Sequence, residues 1–520
     1  MDDYQSKRRQ ARGRPRRIIF NNDGCDARRA IASATEFLNQ RTAPLAGTQV
    51  DTISYCTSEG FGLFRHNTRI GSIGPLAGKT GAETAVAALI AQGTDPLRVV
   101  TEFGHAHGLE VFWSMRMNWD QDGRKRPEYF EANRFKQEHP DCLMGARDAG
   151  PYGHKWAAVD YNHEQVRAMA LACIGEVCRD YAVDGVELDF FRQPVFFRNT
   201  LAGRPVNEEK RGKMTEMIRQ AAALCEREGR RRGRPILLAV RTADDPDYAA
   251  TIGLDIEQWM REDLVDIYIP SGYFRLRDWR DSVALGHRYG VRVYAGLSES
   301  RVGGRHHADW LRASDECYRA RAANAWQAGA DGVYLFNIFD TDRRIWRELG
   351  DPSALRALDK VYVASVRGPG RISEKPGSNY PFRHFIQLPV LTPGTPLELA
   401  AGDRRVVRIE MAEHIQSGAG LRTPKVTLLL KIGHSQKTVM AAGLECMVVF
   451  NGHQVNLEAM EVGWSRYTLE PDWLRCGWNT VEAMNIGATA ILIEDAAVTV
   501  DYSGAILTDN SYHEKAWRMT

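Results

Sequence analysis

The sequence predicts an α/β fold, a (β/α)₈ or TIM barrel followed by a β-sandwich. Three observations predict it. From Arg17 to Leu349, short aliphatic runs alternate eight times with amphipathic segments, the pattern of parallel strands joined by crossover helices. Beyond residue 366 the helical period stops, and short period-2 runs separated by turn signals take over. In the fourth run, Glu187 and Asp189 alternate with Val186 and Leu188, so two carboxylates share one face of a strand that helices flank on both sides. The expected organisation is a disordered basic tail (1–15), the barrel (16–365), a linker (366–385), the sandwich (386–505) and a C-terminal tail (506–520). A doubly wound sheet is the alternative fold, but no GxGxxG follows the first strand.

Taken in order, Arg17 to Asn21 is the first strand, and Ala27 to Gln40 reads as a helix. Val50 to Cys56 is the second strand, followed by a long Gly-rich segment to Gly81. Asp95-Pro96 opens a helix that His107-Gly108 closes. Leu109 to Met117 is the third strand. After it comes an excursion from Asn118 to Asp160, rich in Trp, Tyr, His and charge, of a length usually kept for function or disorder. A helix over His163 to Tyr181 leads into the fourth strand. Asn207 to Glu228 is helical on the spacing of Met214, Met217, Ile218 and Ala221. The fifth to eighth strands are Pro235–Arg241, Leu264–Pro270, Val291–Gly296 and Gly332–Asn337.

Arg367-Gly-Pro-Gly370 and Lys375-Pro-Gly-Ser-Asn-Tyr-Pro381 mark the linker. The sandwich strands are read at Arg405–Ile409, Lys425–Ile432, Glu445–Phe450, Asn479–Met484 and Ala490–Val500.

Composition excludes several classes. Hydrophobic content of 43% and charged content of 26% are those of a soluble globular chain. A net charge of +2 provides no global field for nucleic acid or an anionic membrane. No run reaches the roughly 20 apolar residues of a membrane span. Arg8-Arg9 suggests an export signal, but Ile18-Ile19-Phe20 runs straight into Asn21-Asn22-Asp23 without an apolar region. A cytoplasmic location is therefore expected as the chain begins here, and a secreted or periplasmic one if a longer start supplies a signal. Nine scattered Cys without a CxxC point to reduced, buried thiols. No HExxH, GxSxG, P-loop or kinase set is present. No metal and no cofactor is expected, and the partner expected is a carbohydrate substrate.

In a barrel of this kind the polar residues that end the strands decide the chemistry. They are Asn21, Asn22 and Asp23 (first), Tyr55 (second), Arg116 and Asn118 (third), and Glu187, Asp189 and Arg192 (fourth). Arg241 (fifth), Tyr273 (sixth), Glu299 (seventh), and Asn337 and Asp340 (eighth) complete the ring. Acids, amides, arginines and aromatics together suit a sugar: acids move protons or attack, Asn and Arg hold hydroxyls, and rings stack on pyranose faces. Glycoside hydrolysis needs two carboxylates, about 5–5.5 Å apart for retention and about 6.5–9.5 Å for inversion.

Asp189 is the first candidate, and Glu299 the provisional second. Glu187, one pleat deeper, is expected to orient Asp189 or to pair with Arg241 or Arg116. Arg116, Asn118, Arg192, Arg241, Tyr273, Asn337 and Asn22 are expected to hold the sugar. The alternatives are a structural acid pair neutralised by Arg192, Arg241 or Arg116, and an oxygen cage of Asp23, Asp189 and Asp340 for a cation. His105 and His107 fall at the opposite end of the barrel and read as helix-end residues. Arg230-Arg231-Arg232-Gly-Arg234 reads as a solvated connector.

Val183-Asp-Gly-Val-Glu-Leu-Asp-Phe-Phe-Arg192 resembles the D-G-[IV]-x-x-D-[YF]-x-R signature of glycosyl hydrolase-like family 10 barrels. His107-Gly-Leu-Glu-Val-Phe112, Met115-Arg-Met-Asn118 and Gly332-Val-Tyr-Leu-Phe336 are similar in phrasing to that family. The resemblance spans about residues 16–350 and implies a bacterial barrel acting on glycans, with Asp189 matching the signature acid. It departs from the true family 10 xylanases, which carry an Asn-Glu pair at this strand, because Val186 precedes Glu187 here. Barrels of the α-galactosidase type place an Asp nucleophile at this strand end, an analogy of position.

Cys446-Met-Val-Val-Phe-Asn-Gly-His-Gln-Val455 with Leu474-Arg-Cys-Gly-Trp-Asn-Thr-Val481 resembles the galactose-binding-like jelly-roll module. That resemblance implies an appended sandwich in which Trp464, Trp473 and Trp478 stack on a sugar or pack in the core. The function expected is that of a glycoside hydrolase-like enzyme, the rival being a non-catalytic glycan-binding barrel.

Overall fold

The computed structural model describes residues 3–76, 83–119, 127–145, 156–201, 203–272, 275–298, 310–366, 387–388, 390–392, 394–415, 422–434, 445–461 and 464–503. Eight parallel strands close a barrel in chain order: β1 Ile18–Asn22, β2 Val50–Cys56, β3 Glu110–Arg116, β4 Gly185–Asp189, β5 Leu237–Ala243, β6 Ile267–Ser271, β7 Arg292–Ser298 and β8 Gly332–Phe336, with β8 pairing back onto β1. The strands are buried over nearly their whole length because helices cover their outer face and side chains fill their inner one. Ile19, Phe112, Leu237, Ala239, Ile267, Ile269, Tyr294, Tyr334 and Phe336 meet inside.

The helices follow from capping and spacing. Asp95 accepts the Arg98 amide with Pro96 in the first turn, and Asn207 accepts the Lys210 amide. Glu164–Asp180 buries Val166, Ala170, Cys173, Ile174 and Val177 at helical spacing against the barrel. The helix expected over Ala27–Gln40 is shorter, a single turn at Cys25–Arg28 and a helix at Ala34–Asn39, because Gly24 forces a turn first. Gly24 has φ +67°, and a Cβ there would lie 2.1 Å from the Cys56 carbonyl oxygen.

The first fifteen residues are not the expected tail: Asp3–Gly13 is a helix. Its composition is too polar to announce a buried face, yet its charges have fixed partners. Arg8 and Arg12 pair with Asp263 and Asp266 at the N-terminal end of the barrel, and Tyr4 is buried. Arg16 then closes the barrel floor, donating to Glu110 at 2.6 and 3.0 Å while Thr52 adds a hydroxyl bond at 2.9 Å. On the same side His105 meets Asp184 at 2.9 Å, a helix-end role. Arg232 and Arg234 bind the Val183 carbonyl and Asp184, so this connector is pinned rather than solvated.

The second domain is a two-sheet sandwich. Its strands are β9 Lys360–Val363, β10 Leu397–Leu399, β11 Arg404–Met411, β12 Lys425–His434, β13 Cys446–Phe450, β14 His453–Val455, β15 Ala459–Glu461, β16 Trp464–Leu469, β17 Gly477–Asn485 and β18 Ile491–Asp501. One sheet runs β9-β18-β12-β16-β15, with β10 also on β18, and the other runs β11-β17-β13-β14. β9 was expected inside the barrel unit, but it pairs antiparallel with β18, Lys360 opposite Val500. The spatial boundary therefore precedes the linker, which beyond residue 366 lies outside the described residues, as does the tail from 506.

The Asn451-Gly452 turn is present, with φ of 48° and 91°. Asn479 joins it to β17, accepting from Asn451 Nδ2 at 2.8 Å and donating to the Arg475 carbonyl at 2.8 Å. Trp464 packs with Leu429, Val361 and Ala497 against Leu311 and Cys317 of the barrel. Trp478 donates to Asp278 at 3.3 Å, and Trp473 stacks on His453 with centroids 4.5 Å apart.

Between the domains Arg312 donates to Asp495 at 2.6 and 2.8 Å and to the Ser365 carbonyl at 2.8 Å, with both side chains out of solvent. Removing one partner of such a pair strands the other charge, whereas replacing both with apolar groups does not. Arg312→Met is expected to lower unfolding free energy in urea by about 3–5 kcal/mol. The Arg312→Met/Asp495→Leu double variant is expected to be more stable than that single variant, and the reverse order would show that the pair is not the element that holds the domains.

Candidate active site at the barrel mouth

The C-terminal ends of β3, β4 and β5 put three charged side chains in one row: Arg116 is opposite Asp189, and Asp189 is opposite Arg241. The period-2 alternation turns all three toward the barrel axis. Asp189 is 1% exposed and Arg241 0%. Arg241 Nη1 donates to both Asp189 oxygens at 3.0 Å. Asp189 Oδ1 also accepts the backbone N–H groups of Phe191 and Arg192 at 3.0 and 2.9 Å. Arg241 donates from Nε to Ser271 Oγ at 3.1 Å and lies over the rings of Phe336, Phe191 and Tyr334 at 3.8, 5.1 and 5.6 Å. Asp189 is thus oriented by four donor contacts, and its Oδ2 carries only one of them.

Glu187 sits below Asp189, and of the two roles expected for it, orienting Asp189 or pairing with Arg241 or Arg116, the pairing is not seen among the described residues. Its carboxyl accepts hydroxyl bonds from Ser54 at 2.5 Å, Ser114 at 2.8 Å and Tyr334 at 2.9 Å. Burial, reinforced by the Asp189 charge, raises its pKa to about 6 against these bonds. It is a sealed group beneath the fixed charge of Asp189.

The residues expected to bind sugar separate into two groups. Arg116, Arg192 and Arg241 surround Asp189. Arg116 is stacked on Trp119, its guanidinium 4.2 Å from the ring centroid, and Arg192 lies over the same ring at 5.2 Å. The amides are engaged elsewhere. Asn118 donates to the carbonyls of Val159 (2.9 Å) and Val195 and accepts the Val159 N–H at 2.9 Å, so it ties the long excursion to the segment after β4. Asn22 donates to Asp26 at 2.7 Å and accepts the Gly24 N–H at 3.0 Å, which fixes the turn after β1. Asn337 ends β8 in a left-handed conformation with φ 59°. Glu299 and Tyr273 lie outside the described residues.

The oxygen cage does not form. Asp189 is held by Arg241, Asp23 by Arg41 at 2.7 Å, and Asp340 is exposed, accepting the Asp342 amide. Burial opposes the Asp23 charge, but Arg116, Arg41 and Arg65 outweigh it and hold its pKa well below the usual range. Among the described residues, the donors that gather within 4.8 Å in a group of three are those of Asp141, Cys142 and His163. Asp141 and Cys142 belong to the excursion after β3 and His163 precedes the Glu164–Asp180 helix; together they would suit a soft divalent cation, although burial, then Asp141, pushes the Cys142 thiol up to about 11.

Sequence reasoning missed three features of this end of the barrel. Trp119 lies in an excursion read for its length and its richness in Trp, Tyr, His and charge, without any one residue being singled out. Glu59 and Arg65, within the Gly-rich segment after β2, form a buried pair extended by Arg28. Asp244 follows β5, with Oδ2 accepting the Leu276 amide at 2.9 Å and Oδ1 meeting no hydrogen-bond partner among the described residues. Its burial lifts its pKa to about 7. The Asp244-Asp245-Pro246 triplet held the signal, since Asp245 caps the helix beginning at Pro246 and leaves Asp244 without a local task.

Neither a protein-family model nor a curated protein matches the chain. Solved structures that resemble it include the PgaB (BpsB) glycoside hydrolase domain from Bordetella bronchiseptica, at 12% identity and TM-score 0.41, covering 65% of this chain and 99% of that one. Others are the noncanonic maltogenic α-amylase AmyB from Thermotoga neapolitana, at 13% identity, TM-score 0.36 and coverage of 92% and 100%, and a cycloisomaltooligosaccharide glucanotransferase from Paenibacillus sp., at 10% identity, TM-score 0.36 and coverage of 94% of this chain. The chain spans 57% of the glucanotransferase and 49% of an α-L-fucosidase from Paenibacillus thiaminolyticus that it also resembles. At these identities and TM-scores the likeness carries no argument about what this chain does.

A buried acid with a raised pKa makes the folded state hold a proton that the unfolded state has lost, so stability falls as pH rises between the two values. For Asp244 that window runs from its ordinary 3.8 to about 7. Asp244→Asn is expected to leave stability at pH 4 unchanged and to raise it at pH 8 by roughly 2–4 kcal/mol. Urea titrations at the two pH values check this, and equal effects at both would refute the assignment.

Proposed function

We propose that this chain is a glycoside hydrolase-like enzyme of the glycosyl hydrolase-like family 10 type. It takes an oligo- or polysaccharide at the C-terminal mouth of the barrel and uses Asp189 as its central carboxylate. The observation that supports the reading is the hold on Asp189: Arg241 and two backbone amides fix its direction at the end of β4, where barrels of this kind do their chemistry. A fixed negative charge in a low-dielectric mouth stabilises the positive charge that develops on a sugar ring as the glycosidic bond breaks. Glu299, following β7, is the proposed general acid. The sandwich is proposed to be galactose-binding-like, on the Asn451–Asn479 link that ties its hairpin to β17.

One observation favours a second reading. Asp189 is nearly sealed, as it would be in a barrel that binds glycans without cleaving them, its ion pair serving only to shape the mouth. The two readings differ in turnover. The wild type is expected to release reducing ends from aryl glycosides or polysaccharides, and Asp189→Asn to lose at least about 100-fold of that rate while staying folded at the assay temperature, with its melting transition lowered because Arg241 loses its partner. If Arg241, left without its partner, prevents folding, Asp189→Asn/Arg241→Met removes both charges and is assayed instead. Saccharide binding by the wild type without turnover establishes the second reading, and no binding to any saccharide refutes both.

A further inference from the structure

Of the two arginines that flank Asp189 in the ladder row, one takes the carboxylate and the other is left over. Arg116 is 2% exposed. Among the described residues no acceptor lies within hydrogen-bonding distance of its guanidinium and no carboxylate within 4.0 Å. Its side chain rests on the Trp119 ring, and its backbone N–H goes to Ser58 Oγ at 3.1 Å. The acids nearest in space are already engaged, Asp189 with Arg241 and Asp23 with Arg41. Glu59 is divided between Arg28 and Arg65. An unpaired guanidinium out of water costs several kcal/mol. The charges of Asp23 and Asp189 offset part of that cost through space, but neither carboxylate touches the fork.

We propose that the mouth recognises an anionic glycan, and that the Arg116 guanidinium, held flat on Trp119 with Arg192 over the same ring, seats a carboxylate or sulfate borne by the sugar. This rests on the reading that the mouth binds a glycan, and it names the class of glycan. The residue type fits the task. A guanidinium presents a planar fork of donors matched to a carboxylate or sulfate, and stacking fixes the plane of that fork. Trp119 also supplies the apolar wall on which a sugar ring lies. The sugar's anion takes the fork itself: Asp23 and Asp189 act on Arg116 through space and each keeps its own contacting cation, so the incoming anion displaces neither.

The test is a glycan array carrying neutral, uronate-bearing and sulfated oligosaccharides, including hexagalacturonate beside its methyl-esterified form, read with the wild type, Arg116→Gln and Arg116→Lys. The wild type is expected to retain acidic glycans at least tenfold better than matched neutral ones and to lose that preference in 0.5 M NaCl. The uronate and sulfate arms tell which anion is taken. Arg116→Gln is expected to bring the acidic-to-neutral ratio to about one. If it does not fold, Arg116→Lys, which keeps the charge but not the fork, is expected to keep less than a third of the preference. Equal retention of neutral and acidic glycans by the wild type, or an unchanged preference in either folded variant, overturns the inference and leaves the glycan reading standing. Retention of no glycan of any kind overturns the glycan reading itself.

Discussion

A carboxylate and a guanidinium on adjacent strands, both shut away from water, govern the top of this barrel. Asp189 and Arg241 are neighbours in the β4–β5 ladder, and neither is tolerable there alone. Arg241 is packed among the rings of Phe191, Tyr334 and Phe336, a setting that stabilises a cation through ring electrostatics but does not replace an ion pair. Asp189 in turn collects the amides of Phe191 and Arg192, so the same contact that neutralises Arg241 shapes the turn leaving β4. The direction of Arg192, the position of Phe191 and the availability of Arg116 all follow from which arginine Asp189 chose.

The interior below that pair is layered. At the floor Arg16, Glu110 and Thr52 form a closed polar knot. In the middle Glu187 is ringed by Ser54, Ser114 and Tyr334. Apolar side chains fill the remaining space. The carboxylates of Glu110 and Glu187 persist this deep because each finds several donors, and such bonds enforce one arrangement of the strands where an oily core would tolerate several.

Much of this could be read from the residues. The eight strands stand where aliphatic runs alternate with amphipathic ones, because a parallel strand buried on both faces has little freedom in composition. The Asn451-Gly452 turn follows from backbone geometry that few other pairs adopt. The site was legible only as far as one strand reaches. Alternation put Glu187 and Asp189 on one face, but which cation each would meet depends on the register between strands, and a single sequence does not encode that register locally. For Glu187 the alternation left open a role in orienting Asp189 or a pairing with an arginine, and its contacts are three hydroxyls from other strands. Asn22 and Asn118 were placed on a sugar and proved to hold backbone, as amides beside turns often do. The opening helix was misread because its stability lies in Asp263 and Asp266, some 250 positions away in the chain.

The pairing of β9 with β18 bears on how the two halves are joined. β9 leaves the barrel before the Pro/Gly segment, yet its hydrogen-bonding partner is the last strand of the sandwich. A nick in that segment would leave β9 on one fragment and β18 on the other, still zipped together and still clasped by Arg312 and Asp495. The halves would remain associated after the peptide bond was gone. During synthesis, conversely, the strand that ends the barrel must wait for nearly the whole of the remaining chain before its edge is covered.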